Sequence, residues 1–529
     1  MTIVAFLIMT AFAGLMVQVD DDREPAPSVT QTMTPARTLY TAHSPISITG
    51  NAEFSVANGV IGGNGSSSNP YIIRGWEIVA GVSDFAAVFI SESDAFFRLE
   101  DCHLTHSDGN AVQLDYVSNG ILINNTCTES LNGIGIAFSN SNTIANNTLS
   151  HNDYHGIFMS ASDGNVILGN NCSYNSYYGI WLGVSDYNAI SDNTCSWHTT
   201  SGLEMNSGIY LDSSSTNTLT NNSCLGNTWG GISVYGSSGN IMADNECQGN
   251  RLHGIGLTSS NSNVLNRNNC SDSLESNMTG PEGKGISLGG SSWNTLTDNI
   301  CTNNTDIGIA ILASARNTLT NNDCANNSLA GIYIDSWDQS AQWNILANST
   351  CRGNAYGIML WQWSSNNTLV GNNCSENIIN GIFLAYSRDN FLTNNSCTRN
   401  LEYGLCVING ESSIRNYVSR NNTIWNNTFT GNNGASGTYD PSHVQAYDGG
   451  SDNRWNSTEG YGNWWSDWSG PDADMNGIVD LPYNVNGSAG ARDYYPRTST
   501  QVPIPEFGMM PLVVMMLLAM AALTRKLRR

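Results

Sequence analysis

Residues Asn217 to Val234 read "NTLTNNSCLGNTWGGISV", and close copies follow at Asn294 ("NTLTDNICTNNTDIGIAI"), Asn317 ("NTLTNNDCANNSLAGIYI") and Asn390 ("NFLTNNSCTRNLEYGLCV"). Aligned on the leading asparagine, units begin at Asn142, Asn165, Asn188, Asn217, Asn240, Asn263, Asn294, Asn317, Asn344, Asn367 and Asn390. The differences (23, 23, 29, 23, 23, 31, 23, 27, 23, 23) give a base period of 23 with insertions of 6, 8 and 4 residues. Looser copies begin near Asn119 and Asn416. Each unit follows N-x-[LI]-x-x-N-x-C-x-x-N-x-x-x-G-I-x-[LIV]. Apolar and polar residues alternate over three short stretches, in this copy Thr218 to Thr220, Ser223 to Leu225 and Gly231 to Val234. That alternation is the signature of strands. Three short strands in a fixed period, with no helical segment between them, predict one turn of a parallel β-helix. Stacked at ~4.8 Å, about thirteen turns make a rod of roughly 60 Å. A leucine-rich repeat has a similar period but needs a long apolar crossover that is missing here.

The recurring residues then have architectural roles. Leu219, Leu296, Leu319 and Leu392 point inward, as do Ile232, Val234, Ile332 and Ile334. The glycine before the Gly-Ile isoleucine relieves crowding where the chain enters the third strand. Asparagine at the sixth position suits a left-handed bend and can bond amide to amide down the rod; Ser349 breaks that column once. The ten cysteines at the eighth position, Cys172 to Cys397, share their slot with Leu149, so they are expected as reduced, buried apolar residues. Parallel side chains keep neighbouring Cβ atoms ~4.8 Å apart, too far for a disulfide.

The 529-residue chain carries a formal net charge of −24 and only 12% charged residues. Its lysines are Lys284 and Lys526 alone. The acidity excludes nucleic acid and anionic membrane surfaces as partners. Ile3 to Val17 is a short apolar run before Asp20, Asp21 and Asp22, like a signal-peptide core. Phe507 to Thr524 is uncharged and ends in Arg525, Lys526, Arg528 and Arg529, so it is expected to span a bilayer with its basic end in the cytoplasm.

These units resemble the NosD-like, or CASH-type, right-handed β-helix repeats of archaeal and bacterial exported proteins, from about Tyr40 to Arg497. "SITGNAEFSVANGVIGGNGSSSNPYIIRGWEI" (Ser47 to Ile78) is similar to the segment leading into such helices, and "GNWWSDWSGPDADMNGIVDLPYN" (Gly462 to Asn484) to the one closing them. "PEFG" at Pro505 to Gly508, with the apolar run and basic end, resembles an archaeosortase-type sorting tail. The resemblance implies an extracellular protein attached at an archaeal cell surface by a sorting enzyme. It spans copper maturation factors, sugar-active enzymes and plain surface proteins, so function has to come from sites.

The expected organisation is a signal-like segment (1–20), an N-terminal cap with the first turns (38–118), regular repeats (119–430), a C-terminal cap (431–497), a linker (498–506) and a membrane-spanning sorting tail (507–529). The x of G-I-x-L points outward and reads Phe158, Trp181, Tyr210, Ser233, Gly256, Ser287, Ala310, Tyr333, Met359, Phe383 down the rod. Phe158, Trp181, Tyr210, Tyr333 and Phe383 are therefore the candidate carbohydrate-binding residues, since exposed rings stack on sugars. Aromatics also simply favour strands. The insertions after Cys195 and Cys270 leave the rod at one corner and bring His198, Glu204, Glu275, Glu282 and Lys284. A lyase or hydrolase needs clustered carboxylates, or a base with a cation, and neither pattern is evident. His155 and His253 lie about four turns, ~19 Å, apart and cannot share a site. His and Met show no copper-ligand spacing. Sequons are abundant, those at Asn124, Asn146, Asn221, Asn277, Asn303, Asn326, Asn394, Asn426 and Asn456 among them, and offer N-glycan acceptors.

In the closing segment "DADMNGIVD", Asp472, Asp474, Asn476 and Asp480 stand at positions one, three, five and nine, with Gly477 at six. That is the spacing of an EF-hand or dockerin-like calcium loop, with the Ile478 carbonyl at position seven. Tyr483 replaces the usual bidentate glutamate at twelve. The expected cofactor is a structural calcium ion tying the Trp464, Trp465 and Trp468 segment over the open end of the helix.

Overall fold

The structure, a computed structural model, describes residues 40–106, 108–198, 206–274, 283–336, 340–409 and 418–500. The signal-like segment, the sorting tail and the tips of both long insertions lie outside the described residues. Among the described residues no helix is long and apolar enough to cross a membrane.

Two sheets of sixteen strands each run the length of the molecule, parallel throughout except where Val60–Gly62 pairs antiparallel with Tyr71–Arg74 at the N-terminal end. One, the long-strand sheet, contains the Gly-Ile segments, from Ile46–Thr49 through Ala86–Ser93, Ile209–Asp212 and Lys284–Gly289 to Ala446–Asp448. The other contains the three-residue N-x-L strands such as Thr218–Thr220. Both exceed the expected thirteen turns because the caps add strands of their own; fifteen spacings of ~4.8 Å give roughly 70 Å.

The third side departs from expectation. It is laddered only at its ends, by Trp76–Ala80, His103–His106 and Thr126–Cys127, and by Ser396–Thr398, Thr428–Thr430 and Trp464–Trp465. Between them each turn contributes a single bridge, as in Ser223 with Glu246 and Glu246 with Asn269. The bends on either side, at Asn221 (φ 54°) and Gly226 (φ 63°), leave too few extended residues between them for a ladder.

Each regular turn has four corners, and at each a left-handed residue precedes an inward polar one. Around one turn these are Ser213–Ser214, Thr216–Asn217, Asn221–Asn222 and Gly226–Asn227. The sixth-position asparagine is therefore not the bent residue. The residue before it takes the positive φ, at Asn146, Gly169, Asp192, Asn221, Asp244, Arg267 and Asp298. The sixth asparagine instead points into the core and replaces missing backbone partners. Asn147 Nδ2 donates to Leu122 O (2.9 Å) and to Asn170 Oδ1 (2.9 Å), while Asn147 Oδ1 accepts the Asn125 N–H (2.9 Å). Three asparagine ladders and one serine ladder run down the corners, and nearly every buried amide is satisfied, as a low-dielectric interior demands. At Ser349 the backbone bond survives (Asn322 N to Ser349 Oγ, 3.3 Å) while the amide-to-amide link is lost. The first ladder runs from Asn390 to Asn422 and Asn453, so the late unit begins at Asn422 rather than near Asn416, and the early one at Gly120 rather than Asn119.

The glycine and cysteine columns lock together. A Cβ on Gly231 would stand 2.8 Å from Cys247 Cβ and 2.7 Å from Gly254 O. All ten eighth-position cysteines are free and fully buried, in one column with Leu149, Phe429 and Trp465.

Both ends are closed. At the N-terminal end Phe54 stacks on Tyr71 (4.7 Å), and buried Glu100 pairs with Arg74 and Arg98. At the other end Phe429, Trp465 and Tyr483 stack in sequence, at 4.4 and 3.9 Å, over Cys397, the last cysteine of that column. Trp465 fills the core slot, while Trp464 faces partly outward and Trp468 packs against the edge of Tyr483.

Candidate carbohydrate-binding face and calcium loop

The outward residues of the long-strand sheet stand in register one turn after another: Phe158 against Trp181, Trp181 against Tyr210, Tyr210 against Ser233, and so on through Tyr333 and Met359 to Phe383. Parallel pairing without a bulge forces this single file. Phe158 and Trp181 stack at 4.7 Å and 5°. The column before the glycine joins them: Tyr178 stacks on Tyr210 at 4.9 Å, and His155 lies 5.8 Å from Phe158 and 5.3 Å from Tyr178. The Trp181 ring lies flat over Gly183, where a Cβ would come within 2.2 Å of it. The result is a platform of four half-buried rings over three turns, stacked on one another along the rod.

The second block is different in kind. Tyr333 is half-buried and its hydroxyl donates to Asp335 Oδ2 at 3.0 Å. Phe383 is 7% exposed and Met359 8%, beneath Tyr356 (5.0 Å from Phe383) and Trp361 (6.2 Å). These residues form a second apolar cluster on the outside of the sheet, with Ala310, Ala330 and Cys406. Alternation places a ring outside the sheet but does not decide whether its neighbours cover it, so the expectation of an exposed Phe383 is corrected.

Between the blocks runs a polar stretch. His253 Nε2 meets Ser233 Oγ at 3.0 Å, and Ser233 Oγ meets Ser207 Oγ at 2.8 Å. The His253 ring occupies space over Gly230 and Gly256 that a Cβ on either would fill. Burial and the neighbouring Lys284 push its pKa down to about 3, so the ring is neutral. Lys284 pairs with Asp306 at 3.8 Å. His253 and Phe158 lie in turns separated by Trp181, Tyr210 and Ser233, which keeps His155 and His253 apart.

His198 is not a loop residue. It is fully buried in the third ladder, where it takes the place of an asparagine: the Asn175 N–H meets its Nδ1 at 3.2 Å, and its own N–H donates to Asn227 Oδ1 at 3.1 Å. Burial lowers its pKa to about 4. Lys284 opens a strand, while Glu204, Glu275 and Glu282 lie outside the described residues.

In the closing segment the Asp472 carboxylate accepts the N–H groups of Asn476 (3.0 Å) and Gly477 (3.0 Å). Asp474 Oδ1 accepts the Asn476 N–H at 3.2 Å, Asn476 Oδ1 the Ile478 N–H at 2.8 Å, and Asp480 Oδ2 the Ala473 N–H at 2.9 Å. Gly477 has φ 84°, as the sharp turn at position six requires. The loop is stitched to the end of the helix by Val479 N to Pro496 O (2.7 Å) and Thr498 N to Gly477 O (3.0 Å). Among the described residues no three His, Cys, Asp or Glu side chains are gathered as a metal site, so Asp472, Asp474 and Asp480 are not drawn together as a three-carboxylate set.

Two family models match the sequence. "Periplasmic copper-binding protein (NosD)" covers residues 32–199 and 195–344, and "Right handed beta helix region" covers 284–448. No curated protein matches it. Among solved structures, the periplasmic alginate epimerase AlgG is 12% identical, with 73% of this chain and 85% of that chain covered and a TM-score of 0.34. The A-module of the Azotobacter vinelandii mannuronan C-5 epimerase AlgE6 is 12% identical over 72% of this chain and 90% of its own, with a TM-score of 0.29. The Dettilon tailspike protein is 14% identical over 61% of each chain, with a TM-score of 0.34.

Proposed function

The chain belongs to the NosD family of right-handed β-helix proteins, and on that premise we propose that it is a cell-surface protein holding polysaccharide against the outer face of its long-strand sheet, in an adhesive or structural role. One observation carries the reading: the Phe158–Trp181 stack, continued by Tyr178 and Tyr210, is a half-buried aromatic platform on a rigid scaffold. Aromatic rings held on such a surface pack against the C–H faces of sugars, while the Ser207–Ser233–His253 row beside them is buried and hydrogen-bonded within itself. Export through the N-terminal apolar segment and attachment through the PEFG tail would leave that face outside the cell. The calcium loop is proposed as a structural clamp: Asp472, Asp474, Asn476, Asp480 and the Ile478 carbonyl would hold the ion, which would neutralise carboxylates that otherwise repel.

Copper is named in the family description, but the thirteen cysteines are all buried and the described residues gather no His/Cys/Asp/Glu metal cluster, so the side chains favour the glycan reading. The test is retention of the full chain on immobilised polysaccharides. Trp181→Ala with Tyr210→Ala should weaken binding by roughly tenfold or more, about 1.4 kcal/mol, without changing the melting temperature. Equal binding without both rings would reduce the platform to sheet covering.

A further inference from the structure

A hollow of about 450 Å³ opens at the C-terminal cap, far from the aromatic platform. Its walls include Glu459, Asn476, Asp480, Tyr494 and Tyr495. The two tyrosines are 58% and 41% exposed, although large aromatic rings are normally drawn inward. Their backbone is held from several sides. The Tyr495 N–H donates to buried Asp493 Oδ1 at 3.1 Å, the Gly462 N–H donates to Tyr495 O at 3.0 Å, and Pro496 O accepts the Val479 N–H at 2.7 Å. The rings are therefore presented by a clamped segment rather than by a loose loop. Gly460, with φ 85°, lies against the Tyr495 ring, where a Cβ would come to 3.6 Å.

The polar side of the hollow is made of acceptors. Glu459 Oε1 takes the Thr458 hydroxyl at 2.6 Å, and hydrogen bonding holds the Glu459 carboxyl below its usual range, so it is ionised at neutral pH. Asp480 commits Oδ2 to the Ala473 N–H, and Asn476 commits Oδ1 to the Ile478 N–H. No lysine or arginine is among the described lining residues. Aromatic faces opposite carboxylate and amide groups, in a hollow within the ~300–1,000 Å³ range of small-molecule sites, suit a ligand with an apolar C–H face and several hydroxyl donors. The ionised Glu459, which lies outside the proposed calcium loop, disfavours a carboxylated or sulfated ligand beside it.

We propose that this hollow is a second, independent saccharide site that takes an uncharged pyranose unit, its ring against Tyr494 and Tyr495 and its hydroxyls donating to Glu459. About ten turns, roughly 50 Å, separate it from Tyr210, so one long polymer could engage both sites and gain avidity.

The experiment is saturation-transfer NMR and titration of the full chain with methyl hexopyranosides, with methyl hexuronosides alongside. Neutral glycosides should show transfer, and Tyr494→Ala with Tyr495→Ala should abolish it. Glu459→Gln, at an exposed position that cannot unfold the cap, should weaken binding at least fivefold. Trp181→Ala with Tyr210→Ala should leave monosaccharide binding at this end intact. Absence of transfer, transfer indifferent to the tyrosine and glutamate changes, or stronger binding of the uronides would each overturn the proposal. Loss of transfer in the Trp181→Ala, Tyr210→Ala variant would assign the binding to the platform alone, which leaves the proposed function standing and removes this site.

Discussion

The carboxylate of Asp493 accepts the indole N–H of Trp465 at 2.9 Å inside the C-terminal cap. The same oxygen accepts the Asn463 N–H at 2.7 Å and terminates the sixth-position asparagine ladder. One buried side chain thus ties the core stack to the end of a hydrogen-bond column that starts at Asn125.

Burial pushes the Asp493 pKa up from 3.8 to about 6, against the hydrogen bonds that favour its charge. A raised folded-state pKa means the native protein binds the proton more tightly than the unfolded chain. This site's contribution is therefore present at low pH and is lost as pH climbs from about 4 through about 6. At ~1.4 kcal/mol per unit, the difference is about 3 kcal/mol. The wild-type melting temperature should fall more steeply from pH 4 to pH 7 than that of Asp493→Asn. Parallel pH profiles of the two would exclude this assignment.

Ser349 is the one gap in the amide column between Asn322 and Asn372. Ser349→Asn should restore an amide-to-amide bond on each side and stabilise the protein by about 1 kcal/mol, given the usual net value of a buried hydrogen bond. Chemical denaturation reads this directly; a loss of stability would show that the backbone there has adapted to serine.

Cys324 is fully buried beside Cys301 and Cys351, and burial holds its thiol well above the ordinary range. Cys324→Ala should cost ~1–2 kcal/mol as a small cavity opens, and Cys324→Asp far more, since an unpaired carboxylate enters the core. Thiol reagents should leave nearly all thirteen cysteines unlabelled under native conditions. Rapid labelling of ten or more would refute the buried column.

Millimolar calcium should raise the melting temperature of the full chain, by RT ln(1 + [L]/Kd) in free energy. Asp472→Ala with Asp474→Ala should remove that gain and leave unchanged the part of polysaccharide retention that depends on Trp181 and Tyr210. An identical melt in calcium and in chelator would eliminate the ion.

The repeat by itself determined the architecture. A 23-residue period with alternating apolar positions admits little besides a parallel β-helix, because each inward Leu, Ile and Cys is covered only when the next turn stacks on it. It also identified the outward column, since alternation fixes which side of a strand a residue leaves. The sequence was silent wherever the outcome depends on a neighbour one turn away. The left-handed residue sits before the ladder asparagine because the asparagine side chain is needed inside, to bond amides 23 residues off in the chain. His198 entered the core because the corner column had a place for a hydrogen-bonding side chain, although the local sequence reads as the start of a loop. Phe383 was covered by Tyr356 and Trp361, and Tyr494 with Tyr495 came to face Glu459 and Asp480, through packing between separate segments. Local periodicity sets direction along the strand; only the stacked structure sets who stands next to whom, and with it burial, charge state and access to ligand.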